Sequence, residues 1–137
     1  MDGQSIRATI ERFWDARLAA DKQAALSVMS ERATYEMVGA KALAADIVVG
    51  RTEAGVAADE LFDDFAFKDL DMRSVIVEGR KAAVECKIQV SFRGGPFATT
   101  EFCDVWEFDD AGKVTSLRQF VDSHFLGKMI ATQVKDS

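Results

Sequence analysis

The segment FATTEFCDVWEF (residues 97–108) carries a carboxylate where its alternation calls for an apolar side chain. Its even positions are Phe102, Asp104, Trp106 and Phe108, and residues two apart share one face of a strand. If that face points inward, apolar walls disfavour the charged form of Asp104 and raise its pKa. A carboxyl group so placed can serve as a general acid or base near neutral pH, or stay neutral and donate a hydrogen bond. If the face points outward, or a structural partner satisfies the group, Asp104 does no chemistry. The other face, Glu101, Cys103, Val105 and Glu107, suits solvent or a dimer surface, which favours the aromatic face as the inner one.

Two further polar groups can join it. Tyr35, the one tyrosine, could relay a proton to Asp104 or pack with its hydroxyl satisfied. Gln119 neighbours Asp104 if the last two strands pair across the turn at 109–112, and could hold the carboxyl or sit on a rim. Asp122 and His124 share a strand face, the outer one on this register, and are either a catalytic pair or a surface pair. Trp14 beside Phe13 reads as a core aromatic. Asp63, Asp64, Asp69 and Asp71 read as a solvated connector.

The elements that must position these groups are legible from periodicity. Ser5 offers a cap to a first helix, in which Ile6, Ile10, Phe13, Trp14 and Leu18 recur at helical spacing. Asp21 caps a short second helix through Leu26 and Met29. Residues 33–38 form a strand, and 39–50 an irregular stretch that is either a surface loop or a flap over a pocket mouth. Thr52 caps a third helix running to about Phe65. Strands follow at 70–78, 80–92, 97–108 and 114–121, separated by short turns, and residues 132–137 fray. In the second of these strands Ala82, Val84, Cys86, Ile88, Val90 and Phe92 share one face. Helices first and an antiparallel meander after is an α+β pattern: a curved sheet with helices on its concave side.

Composition bounds the function. A chain of 137 residues forms one domain, residues 1–137, large enough for its own core. Ten phenylalanines against one tyrosine suit a greasy interior. The net charge of −6, without a basic cluster, argues against a nucleic-acid partner. Two cysteines cannot build a disulfide framework, and no apolar run approaches the ~20 residues of a membrane span. A cytoplasmic protein with reduced thiols and no membrane partner is expected. One histidine and no clustered Cys/His argue against zinc or haem, and no cofactor is expected.

From Ile6 to about Leu126 the order of elements resembles the NTF2-like superfamily, and within it the SnoaL-like and ketosteroid-isomerase-like proteins. The most specific run is DVWEFDDAGKVTSLRQFVD (Asp104–Asp122), supported by DKQAALSVMSERATYEM and VGRTEA. The resemblance implies a cone-shaped fold around one pocket, and dimerisation through the outer sheet face, where Arg118, Phe120, Cys103 and Val105 would meet a partner. The fold hosts isomerases, cyclases, epoxide hydrolases, dehydratases and non-catalytic binders.

Carried over residue by residue, the ketosteroid isomerase pattern puts its oxyanion-hole Asp on Asp104. It puts the proton-shuttling Asp on Met37 and the Tyr on Phe13, so the mechanism loses both of its other groups. The limonene epoxide hydrolase pattern puts Gln119 where a carboxylate belongs, and an amide cannot take a proton from water. Scytalone dehydratases need inward histidines, and His124 lies past the last strand. SnoaL-like cyclases use an Asp and a His, for which Asp122 and His124 are the candidates. The family's inward register implies a pocket lined by Phe13, Tyr35, Met37, Cys86, Ile88, Val90, Phe92, Phe102, Trp106, Leu117 and Val121. Its polar groups would be Asp104, Gln119 and the Tyr35 hydroxyl. The expected ligand is a small hydrophobic or polycyclic molecule, with Asp104, Tyr35 and Gln119 as the catalytic candidates; a non-catalytic binding or interaction module is the alternative.

Overall fold

The computed structural model describes residues 2–39 and 50–136. The first helix, α1 (Gly3–Leu18), is capped by Asp2, whose carboxylate accepts from the Ser5 amide at 2.8 Å, so the cap precedes the expected Ser5. Its buried face is Ile6, Ile10, Phe13, Trp14 and Arg17; Leu18, expected on that face, is 36% exposed. The Asp21 carboxylate caps α2 (Lys22–Ser27), which folds back on α1. Met29, expected to end that helix, instead begins β1 (Met29–Val38).

The strand β1 lies between two partners. It pairs antiparallel with β2 (Gly50–Glu53) and parallel with β6 (Val114–Val121), so the six-stranded sheet is mixed rather than purely antiparallel. The remaining strands, β3 (Phe65–Glu78), β4 (Lys81–Phe92) and β5 (Ala98–Phe108), complete the expected meander in the order β2-β1-β6-β5-β4-β3. The architecture is α+β, with helices packed on a sheet.

The third helix differs most from expectation. Thr52 pairs with Tyr35 inside the sheet, and the helix shrinks to one turn, α3 (Ala54–Ala57), followed by a π-helical turn over Ala58–Phe62. Phe65 and Phe67 then alternate as strand residues opposite Phe92 and Val90, so β3 starts before Leu70. A β-branched Thr and alternating aromatics suit a pleated surface better than a helix. A bulge with Asp69 at φ 55° accounts for the shift in register between Lys68 and Asp71.

The C-terminal end also departs from expectation. Residues after the last strand form a fourth helix, α4 (Ser123–Asp136), where fraying was expected from 132. Leu126 and Ile130 are buried in the core, and Phe125 and Met129 pack against it. The expected flap at 39–50 falls almost wholly on positions outside the described residues. Among the described residues no helix is long and apolar enough to cross a membrane.

What the fold does for the site is set by α1 and β5. Phe13 meets Trp106 edge-on at 5.1 Å between centroids, and Trp14 meets Phe102 at 5.5 Å. Two aromatics of the helix thus clamp the two aromatics that flank Asp104 on its strand.

Candidate functional site

The sheet register brings the polar groups together. Val84, Asp104, Gln119 and Met37 lie in one row across β4, β5, β6 and β1, each opposite its neighbour. All four are buried, so the aromatic face of β5 is the inner one. In the adjacent row Trp106 lies opposite Leu117, and Leu117 opposite Tyr35.

Asp104 is 0% exposed, and neither carboxyl oxygen has a hydrogen-bond partner among the described residues. Burial pushes its pKa well above the ordinary carboxylate range. The Gln119 side chain and the Trp14 indole N–H face the carboxyl and draw the value back in part, although neither closes a hydrogen bond of normal geometry. An unpaired carboxylate in such surroundings is costly enough that protonation is the cheaper state. The site therefore favours a neutral carboxylic acid.

Tyr35 does not reach Asp104 directly. Its hydroxyl donates to Gln119 Oε1 in a short, fully buried hydrogen bond. With that oxygen engaged, the Gln119 amide nitrogen keeps two N–H donors, and the facing carboxyl is a natural acceptor. Burial also raises the Tyr35 pKa, with the Arg17 charge pulling it back in part, so the phenol stays a donor. The order of groups is Tyr35, Gln119, Asp104.

A cavity opens beside this chain of groups, lined by residues including Trp14, Met37, Phe67, Ile88, Val90, Phe102, Gln119, Val121, Phe125 and Leu126. Of the residues expected around a pocket, Met37, Ile88, Val90, Phe102, Val121 and Gln119 line this cavity. Asp104 and Tyr35 do not line the cavity; they stand behind Gln119. Phe13, Cys86, Trp106 and Leu117 are also absent from its lining and are packed in the core instead. Phe92 faces a different groove, beside Phe125 and Met129 of α4. Burial raises the pKa of the Cys86 thiol, which makes it a poor nucleophile.

The cavity is small: about 40 Å³ is open to water, enough for roughly three or four molecules at 10–15 Å³ each. A polycyclic ligand does not fit this closed form. The α4 side chains Phe125 and Leu126 form part of the lining, so a larger guest has to move them.

Two groups escaped the sequence reading. Trp14 turns its indole N–H toward Asp104 rather than acting only as a core aromatic. Arg17 is buried one helical turn further on, and the spacing Phe13, Trp14, Arg17 already put it on the inner face. Asp122 lines the cavity and its carboxylate accepts from the Phe125 amide at the start of α4, while His124 is exposed. Among the described residues no group of three or more His, Cys, Asp or Glu is arranged to hold a metal ion.

Residues 10–117 match the SnoaL-like domain. The chain belongs to the SnoaL-like family. Its fold is that of NTF2-like proteins. An NTF2-like protein of unknown function from Burkholderia pseudomallei is 16% identical, with a TM-score of 0.75 over 95% of this chain and 98% of that one. An LEH-like epoxide hydrolase of M. tuberculosis is 20% identical, with a TM-score of 0.70 over 98% of each chain. SalBIII, an epoxide hydrolase/cyclase-like enzyme with a role in pyran ring formation in the polyether salinomycin, is 19% identical, with a TM-score of 0.72 over 90% of this chain and 95% of that one. At these identities the likeness is one of fold. No curated protein matches the sequence.

The raised pKa of Asp104 makes a signed prediction about stability. The folded group holds its proton more tightly than the unfolded one, so its contribution is complete below an unfolded pKa of about 3.9 and is lost as pH rises through the folded value. Urea denaturation of wild type and Asp104→Asn across pH 4 to 8 tests this. Wild type should lose on the order of 1 kcal/mol per pH unit relative to the variant until the folded group ionises. Parallel curves for the two proteins would refute the buried neutral acid.

Proposed function

We propose that this SnoaL-like protein binds a small apolar molecule bearing a carbonyl or similar oxygen, and that Asp104 serves it as a general acid. The observation that carries this reading is a fully buried carboxyl without a partner, one residue behind an apolar cavity. Gln119 is the one side chain that both lines the cavity and faces Asp104. It is buried, and Tyr35 holds it from the other side. A ligand oxygen that displaces the Gln119 amide would come within reach of the Asp104 proton. An LEH-like epoxide hydrolase and an epoxide hydrolase/cyclase-like enzyme share this fold, which is compatible with an oxygen-bearing ligand.

The set-back position of Asp104 favours a second reading, a binding domain without turnover. In that case Asp104 and Tyr35 only fix the Gln119 amide, which alone meets the ligand. Cyclohexanone in deuterated buffer separates the two. In the catalytic reading Asp104 donates its proton to the carbonyl oxygen while water takes the α-proton, and the enol regains a deuteron from solvent as Asp104 is reprotonated. It predicts protein-dependent deuterium incorporation beside the carbonyl, reduced about 100-fold or more in Asp104→Asn. Saturable binding with no incorporation would favour the second reading, and no binding at all would sink both.

We also propose that the molecule forms a homodimer through the outer sheet face. There Arg118 lies opposite Val105 and Phe120 opposite Cys103, and Phe120 and Ile76 are exposed. Light scattering should give a dimer mass for wild type and a monomer mass for Phe120→Glu; a monomeric wild type would contradict this.

A further inference from the structure

We propose that the cleft between α1, the π-helical turn and the start of β3 is a binding site for a small organic carboxylate, anchored by Arg17. This site does not depend on proton transfer at Asp104. The cleft encloses about 330 Å³ and is lined by Arg17, Leu18, Lys22, Phe62, Asp63 and Phe67 among others. It shares Phe65 and Phe67 with the cavity beside Gln119, so those two rings divide the spaces.

The state of Arg17 is what calls for a ligand. Its side chain lies in a residue only 5% exposed, yet its Nε has no hydrogen-bond partner and no described residue forms an ion pair with it. The Phe62 ring lies 3.8 Å from the guanidinium carbon and the Phe67 ring 4.8 Å from it. Aromatic faces offset part of the cost of burying a cation, but they satisfy none of its N–H donors. Burial lowers its pKa to about 10, so it remains charged at neutral pH. A guanidinium presents a planar fork of donors that matches a carboxylate, and rings on its faces leave its edge as the approach.

The charges at the mouth narrow the class of anion. Lys22 is held by Asp59 and Asp63, with nitrogen–oxygen distances of 3.4 and 3.1 Å, and is not a second free cation. Arg17 and Lys22 together match Asp59 and Asp63 in charge, so the cleft accepts the single charge of a carboxylate at less cost than the double charge of phosphate. Phe62, Phe65 and Phe67 supply an apolar bed, so the ligand is an acid with an aromatic or aliphatic body rather than a bare ion.

The test uses 2-naphthoate and its neutral counterpart 2-naphthamide, titrated into the protein with the Arg17 Nε–H signal followed by NMR. Naphthoate should shift that signal on saturation and bind at least about tenfold more tightly than the amide, a preference worth roughly 1.4 kcal/mol. Arg17→Met should erase the preference, and Arg17→Lys should keep part of it. Equal affinities, an unmoved Arg17 signal or a preference that survives Arg17→Met would each overturn the proposal. The wild-type comparison decides the matter even if a variant does not fold.

Discussion

A carboxyl group removed from water must find donors or give up its charge, and the interior around Asp104 leaves it the second course. Every element nearby contributes to that outcome. The strand β5 turns Asp104 inward between Phe102 and Trp106, α1 closes over it with Phe13 and Trp14, and β4 supplies Val84 opposite. The polar groups that do face it, Gln119 and Trp14, offer N–H donors that favour the carboxylate, but burial outweighs them and the pKa stays well above the ordinary range. An apolar residue here would pack as well or better. The buried carboxyl is therefore a net cost to the fold.

The same interior holds a buried charge of the opposite sign. Arg17 lies between Phe62 and Phe67, while Asp104 sits under Trp14, and the two are not paired. Tyr35 feels both: the cation lowers its pKa and a charged Asp104 would raise it. Phe65 and Phe67 lie between the cavity beside Gln119 and the cleft lined by Arg17.

Much of this was legible in the residues because it depends on short-range alternation. The inward register of Phe102, Asp104, Trp106 and Phe108, the burial of β4's even positions and the pairing of Asp104 with Gln119 follow from period two and a tight turn. What depends on distant contacts was not legible. The parallel pairing of β1 with β6 joins segments with most of the chain between them, and β2 formed from Thr52 only because β1 offered an edge. The helix α4 carried a signal in Phe125, Leu126, Met129 and Ile130, whose spacing is helical, and it matters because two of these side chains help line the cavity. Arginines are mostly exposed, so only the spacing of Arg17 from Phe13 and Trp14 marks it for the buried face. The set-back of Asp104 from the cavity lies below the resolution of pattern reading, since facing inward and lining a cavity share one register.

The central claim is that Asp104 is a neutral acid in the native protein, and carbon-13 NMR titration of its side-chain carboxyl measures this directly. The account predicts a resonance that titrates well above the ordinary carboxylate range. Titration of Asp104 near the reference value of about 3.9 would contradict it.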